Sequence, residues 1–204
     1  MQMPEGYKNV QVGDYVPVSP GGHKCIIQKV EEATSRSGNG MLIVYFDMDE
    51  SDSQPAYFKA QYQKDKQQQG DKAKWRGVYY VTTAGDFGLT NLKRFTTAVE
   101  HSNKGFEVQW DMTPGDGRFV NCLRGRKVGF VFRQEEYLKK DGNVGRSVKP
   151  FRACDYGTAT AQEAPKLKKL KGNSTASYST QAEDSTMDGF MKIDRLDDAG
   201  LPFN

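Results

Sequence analysis

Met41-Leu42-Ile43-Val44-Tyr45-Phe46-Asp47-Met48 is a continuous apolar and aromatic run of strand length, and its reading decides the fold. Immediately before it, Thr34-Ser35-Arg36-Ser37-Gly38-Asn39-Gly40 is a cluster of turn formers. Before that again, His23 to Glu32 holds Cys25, Ile26, Ile27 and Val30. The three pieces together predict a hairpin of two long strands.

Downstream, Ala56 to Gln63 sets Phe58, Ala60 and Tyr62 in alternation with Lys59, Gln61 and Gln63, the period of two that a half-buried strand requires. A third strand with one wet face is expected there. Lys64 to Lys74 is polar and charged and reads as an exposed loop, followed by a short strand, Trp75-Arg76-Gly77-Val78-Tyr79-Tyr80-Val81. From Leu89 the period lengthens: Leu89, Leu92, Phe95, Thr96 and Val99 mark an amphipathic helix that Asn103 and Gly105 stop near Ser102. After an irregular stretch, Thr113-Pro114-Gly115-Asp116-Gly117, the segment Lys127 to Arg133 puts Val128, Phe130 and Phe132 on one face of a fourth main strand. Asp141-Gly142 turns the chain into a last strand, Ser147 to Cys154. Upstream, prolines and glycines punctuate the first twenty or so residues, with Tyr15-Val16-Pro17-Val18 as an edge strand.

This order predicts a mainly β protein, an OB-fold-like five-stranded Greek-key barrel with one helix between strands three and four. An antiparallel sandwich or a curved sheet with one helix would give a similar pattern. Residues 1–156 form the expected domain and 157–204 a disordered tail, in which Ala, Ser, Thr, Gln and Gly leave too little apolar surface to offset the ordering entropy.

With 204 residues, nearly a quarter of them tail, the chain has room for one hydrophobic core. No apolar run approaches the ~20 residues that cross a bilayer, and Met1-Gln2-Met3-Pro4-Glu5 does not open like a signal peptide, so no membrane partner and a cytoplasmic location are expected. Three widely spaced cysteines, Cys25, Cys122 and Cys154, suit reduced thiols. The formal charge of +3 hides an asymmetry: residues 183–204 carry six acids against Lys192 and Arg195, a net −4, which leaves +7 for the rest. A basic body with an acidic tail often accompanies nucleic-acid binding.

Single-stranded nucleic acid is held by cations that follow its backbone and by aromatic faces on which bases stack, at ~1–3 kcal/mol per base. In an OB-fold the binding elements are the face of strands two and three and the loops joining strands one to two and four to five. Here those loops carry Arg36 in the first and Lys139, Lys140 and Arg146 in the second. The face offers Tyr45, Tyr57, Phe58, Lys59 and Tyr62, with Lys72, Lys74, Trp75, Arg76, Tyr79 and Tyr80 behind them. About half of these aromatics are needed to fill a small barrel. Trp75 and Arg76 are the favoured contacts, because an indole beside three cations is poor core and good stacking surface.

Other chemistry finds little support. Asp47 and Asp49 share a face as nuclease metal ligands would, but no His or Lys lies beside them in sequence to complete a site. His23 and Cys25 lack a second pair at zinc-ligand spacing, and His101 stands alone. With no phosphate loop, nucleophile elbow or dinucleotide fingerprint, the sequence points to no catalytic residues, no metal and no cofactor.

Asp197-Asp198-Ala199-Gly200-Leu201-Pro202-Phe203-Asn204 resembles the C-terminal tip of bacterial single-stranded-DNA-binding proteins, in which aspartates precede an aliphatic residue, Pro and a final Phe. That resemblance implies that Asp197, Asp198, Leu201, Pro202 and Phe203 dock on replication or recombination proteins, the Phe ring in an apolar pocket and the acids on basic residues. Asn204 displaces the terminal carboxylate by one residue from its place in that family. Gly22-His23-Lys24-Cys25-Ile26-Ile27, Ser35-Arg36-Ser37-Gly38-Asn39-Gly40-Met41-Leu42, Lys74-Trp75-Arg76-Gly77, Asn91-Leu92-Lys93 and Lys127-Val128-Gly129 resemble segments of an uncharacterised family of phages and prophages of Gram-positive bacteria. Members of that group are often taken to be single-stranded-DNA-binding or recombination-associated proteins. The expectation is therefore a non-enzymatic protein that coats single-stranded DNA and recruits partners, and a homo-oligomer is compatible with it. Two rivals are a β-domain scaffold that binds protein alone and a metal-dependent nuclease.

Overall fold

The computed structural model describes residues 16–170. Asp197, Asp198, Leu201, Pro202 and Phe203 lie outside them, as does Tyr15 of the expected first edge strand; Val16 to Val18 are not part of a strand.

Five antiparallel strands form one open sheet: β1 (Gly21–Thr34), β2 (Gly40–Met48), β3 (Val78–Thr82), β4 (Lys127–Leu138) and β5 (Val144–Cys154). Their spatial order is β3-β2-β1-β4-β5. The expected hairpin of two long strands is present, with Thr34 opposite Gly40 and Cys25 opposite Met48. β1 is the central strand. Its first half pairs with β4, from Gly21↔Phe132 to Ile26↔Lys127, and most of its length pairs with β2.

The expected third strand is a helix. α1 spans Tyr57–Gln69, and the first strand after β2 is β3. Phe58 and Tyr62 are its buried residues, and their spacing of four fits one helical face as well as it fits alternation over a short window. The first part of the Lys- and Gln-rich run that reads as a loop, Lys64 to Gln69, continues that helix, its residues being mostly good helix formers; Gly70–Lys72 then makes a 3-10 turn, and Ala73 and Lys74 are extended connection. Asp47 fixes where it begins: its carboxylate accepts from the Phe58 N–H at 2.9 Å and from the Met48 N–H at 2.9 Å. A buried carboxylate at a helix start satisfies otherwise orphaned amides.

The amphipathic helix is found as α2 (Gly85–Ser102), four residues longer at its start than the apolar period indicates. Phe95, Thr96, Ala98 and Val99 are buried, whereas Leu89 is exposed. A short α3 (Arg118–Leu123) precedes β4. The core gathers around Phe46, whose ring lies 4.5 Å from Phe130, 5.4 Å from Phe58 and 6.0 Å from Phe132. Offset and edge-on ring pairs at such distances are the favourable ones.

The chain continues past the expected boundary at 156 with a 3-10 helix, Tyr156–Ala161, seated on the start of β1. Gly22 is required there, since a Cβ on it would stand 1.8 Å from the Ala159 carbonyl oxygen. Its N–H donates to the Gln162 carbonyl at 3.1 Å. No helix among the described residues is long and apolar enough to cross a membrane.

Candidate nucleic-acid interface

The face of β2 that the sequence nominates is closed. Every residue from Met41 to Met48 is buried. Tyr45 is 2% exposed and donates its hydroxyl hydrogen to Glu31 Oε2 at 2.9 Å; burial, then that hydrogen bond, raises its pKa. Tyr62 packs against Trp75 with ring centroids 5.9 Å apart, and both are buried. Trp75, the favoured stacking residue, donates its Nε1–H to the carbonyls of Phe46 at 3.2 Å and Gly77 at 3.1 Å. Its ring is core, with no face open to a base.

The signal for that correction lies in the sequence. Lys72, Lys74 and Arg76 are exposed while Ala73, Trp75 and Gly77 between them are buried, so the three cations point away from the indole. Arg76 pairs with Asp65 at 2.6 Å on α1. Tyr79 is buried against Phe130 at 4.9 Å, and burial pushes its pKa up to about 12. Tyr57 is half-buried on α1, its hydroxyl donating to the Val16 carbonyl at 3.0 Å, and Lys59 is exposed on the same helix.

The predicted cations separate into groups. Arg36 is exposed in the turn after the C-terminal end of β1, whereas Lys139 and Lys140 lie beyond its N-terminal end. Only the latter pair meets Arg146, across a two-stranded arm. β4 pairs with β1 no further than Phe132, but it pairs with β5 out to Leu138↔Val144. The hairpin therefore extends past the sheet.

Opposite residues of an antiparallel pair share a face. Arg133↔Lys149, Glu135↔Ser147 and Tyr137↔Gly145 make one face of the arm, and Gln134↔Val148, Glu136↔Arg146 and Leu138↔Val144 the other. The ladder shifts between Val131↔Arg152 and Phe132↔Pro150, which leaves Phe151 as a bulged residue. Its ring, 43% exposed, lies under the Arg133 guanidinium at 4.1 Å. Glu135 holds Arg133 at 2.7 Å and Lys149 at 3.9 Å, and Glu136 holds Arg146 at 3.5 Å.

A third segment joins the arm. Lys168 donates its N–H to the Gln134 carbonyl at 3.0 Å and accepts from Glu136 N–H at 2.9 Å, forming a parallel bridge along the edge of β4 that β1 leaves uncovered. By sequence alone, the basic patch up to Lys171 reads either as added phosphate contacts or as solubilising charge, the second being favoured; the fold places Lys166, Lys168 and Lys169 beside the arm. Residues 133–152 and 165–170 together hold nine Lys and Arg against three acids, a net +6. That is most of the +7 outside the acidic end. Arg133, Lys149, Phe151, Tyr137 and Lys168 are the contributors that the sequence does not single out, because their grouping depends on cross-strand register.

A separate cleft of about 550 Å³ opens at the other end of β1, lined by Ala33, Met41, Leu42, Thr83, Leu92, Trp110 and Phe119 with Glu32 and Asp111.

The nuclease and metal readings meet the following geometry. Asp47 is buried in its helix-capping role, and burial raises its pKa against the amide hydrogen bonds that lower it. Asp49 accepts from Ser51 Oγ at 2.7 Å and from the Tyr156 hydroxyl at 2.8 Å. His23 is hydrogen-bonded to Asp52, Nδ1 to Oδ1 at 2.8 Å. Among the described residues no group of three or more His, Cys, Asp or Glu side chains is placed to hold a metal ion. No protein-family model matches the chain, and no curated protein matches it.

Proposed function

We propose that this is a non-enzymatic, non-sequence-specific single-stranded-DNA-binding protein of phage or mobile-element replication or recombination, and that the β4–β5 arm is its primary contact. The observation that carries the reading is the net +6 on the arm and the segment beside it, interleaved with the partly open rings of Tyr137 and Phe151. Cations spaced along a ribbon match the regular charge of a strand, and rings between them accept any base.

The same reading takes the sheet as the wall of an OB-like Greek-key barrel. Support comes from the strand order, from α2 lying between β3 and β4, and from the edge strands β3 and β5 approaching within 8 Å at Cα. The Tyr79 hydroxyl on β3 also meets the Ala153 backbone on β5. The acidic-apolar tip, Asp197 to Phe203, is proposed to recruit replication or recombination proteins on the strength of its resemblance to bacterial single-stranded-DNA-binding proteins.

Fluorescence anisotropy with labelled oligo-dT, oligo-rU and duplex at low and physiological salt tests the proposal. Tight binding to single strands that weakens steeply as salt rises is the expected result. Absent or salt-independent binding rejects it.

A further inference from the structure

We infer that the cleft beside Trp110 is a seat for one unpaired nucleobase, with the Trp110 indole as its stacking platform; the inference rests on the single-strand reading above but on residues at the opposite end of β1 from the arm. Trp110 is 57% exposed. One face of its ring is stacked on buried Phe119, with centroids 4.8 Å apart and planes inclined by 15°. Trp110 also lines the cleft, so a flat apolar guest seated there would cover part of the ring that remains in solvent.

The ring is also held in place before any ligand arrives. On one side Val108 N–H donates to Glu100 Oε1 at 3.0 Å and Gln109 N–H to Cys122 Sγ at 3.5 Å. On the other, Asp111 accepts from Phe119 N–H at 2.8 Å and from Gly117 N–H at 3.3 Å, tying the segment to the start of α3. A fixed platform loses little rotamer freedom when a second ring stacks on it, so more of the stacking energy appears as affinity.

The lining selects the part of a nucleotide that enters. Met41, Leu42, Leu92 and Phe119 give an apolar floor, and a volume of about 550 Å³ accommodates a base with its sugar. The carboxylates of Glu32 and Asp111 on the same cleft repel a phosphate and leave an uncharged, flat, apolar group as the matching guest. An extended strand can satisfy this by splaying one base inward while its phosphates stay outside.

The test uses the full chain and labelled oligo-dT. Trp110→Ala is expected to weaken binding about 5- to 150-fold, the range for removing one base–aromatic stack, and Trp110→Phe to recover part of it. The salt dependence should stay as in the unmodified protein, because no phosphate-binding cation is removed. If Trp110→Ala lowers stability, photocrosslinking of bromodeoxyuridine-containing oligonucleotide to the unmodified protein gives an independent readout, with Trp110 expected among the crosslinked residues. Undiminished binding by Trp110→Ala, or crosslinks confined to the arm, overturns the base seat while the single-strand reading stands. Absence of oligonucleotide binding by the unmodified protein overturns both, and a peptide competing for the cleft in place of oligonucleotide overturns the base seat alone.

Discussion

The Tyr137 ring lies over Gly145: a Cβ on that glycine would stand 2.7 Å from Tyr137 Cζ and 2.9 Å from its hydroxyl oxygen. The pair is directly opposite in the arm, and the ring is 44% exposed on its outer side. A glycine bared under an aromatic ring is a recognised way to stabilise a two-stranded ribbon. Here it also orients the outer face of the ring toward solvent. Tyr137→Ala is expected to weaken oligo-dT binding by about 1–3 kcal/mol, with the thermal midpoint of the body little changed. Gly145→Ala should reproduce part of that loss by displacing the ring, measured by the same anisotropy titration.

Lys139 and Lys140 sit at the tip of the arm, outside its ion pairs with Glu135 and Glu136. Replacing both with Gln should make the plot of log affinity against log salt shallower by about 0.7 for each phosphate that is no longer neutralised. An unchanged slope would place the phosphates elsewhere on the molecule.

Trp75 gives the opposite signature. Its ring is buried and its Nε1–H is shared between two backbone carbonyls, so Trp75→Ala should cost about 3–5 kcal/mol in denaturant unfolding. At temperatures where the variant remains folded, its oligonucleotide affinity should match the unmodified protein. A selective loss of affinity with intact stability would show that the indole leaves the core to bind.

The His23–Asp52 pair predicts a pH dependence of stability. Burial lowers the pKa of His23, but hydrogen bonds to Asp52 and Ser19 and the Asp52 charge outweigh it, so the net direction is upward. For Asp52, burial raises the pKa, and hydrogen bonds from His23, Gln54 and Lys24 and the His23 charge bring it below its ordinary value. A raised His23 adds stability below its unfolded value of about 6.5 and loses it as pH climbs through the folded value; a lowered Asp52 adds stability above about 4 and loses it as pH falls through the folded value. Comparing thermal midpoints of the unmodified protein and Asp52→Asn should therefore give the largest gap between about pH 4 and 6.5, narrowing on both sides.

Elements whose signal is local and periodic are legible in the sequence: the β1–β2 hairpin, the inner face of α2 and the β4–β5 hairpin. The helix α1 is not, because Phe58, Ala60 and Tyr62 satisfy two periods at once and the cap that selects between them, Asp47, comes from the preceding strand. The site is half legible. Lys139, Lys140 and Arg146 stand out as loop and hairpin charges, but Arg133, Lys149 and Phe151 join them only through a register and a bulge that pattern alone does not reveal. Trp75 is misread when its charged neighbours are weighed above the alternation they follow.

β1 is made first and sits in the middle. Its partner along the first half, β4, is separated from it by β2, β3 and three helices, so the paired residues stand 101 (Ile26↔Lys127) to 111 (Gly21↔Phe132) positions apart in the chain. Such long-range pairing slows folding, and until Lys127 to Phe132 arrive β1 presents an open edge carrying Cys25 and Ile26. A growing chain that has completed β3 but not β4 is thus the species most open to edge-to-edge association, and the one on which a chaperone would act.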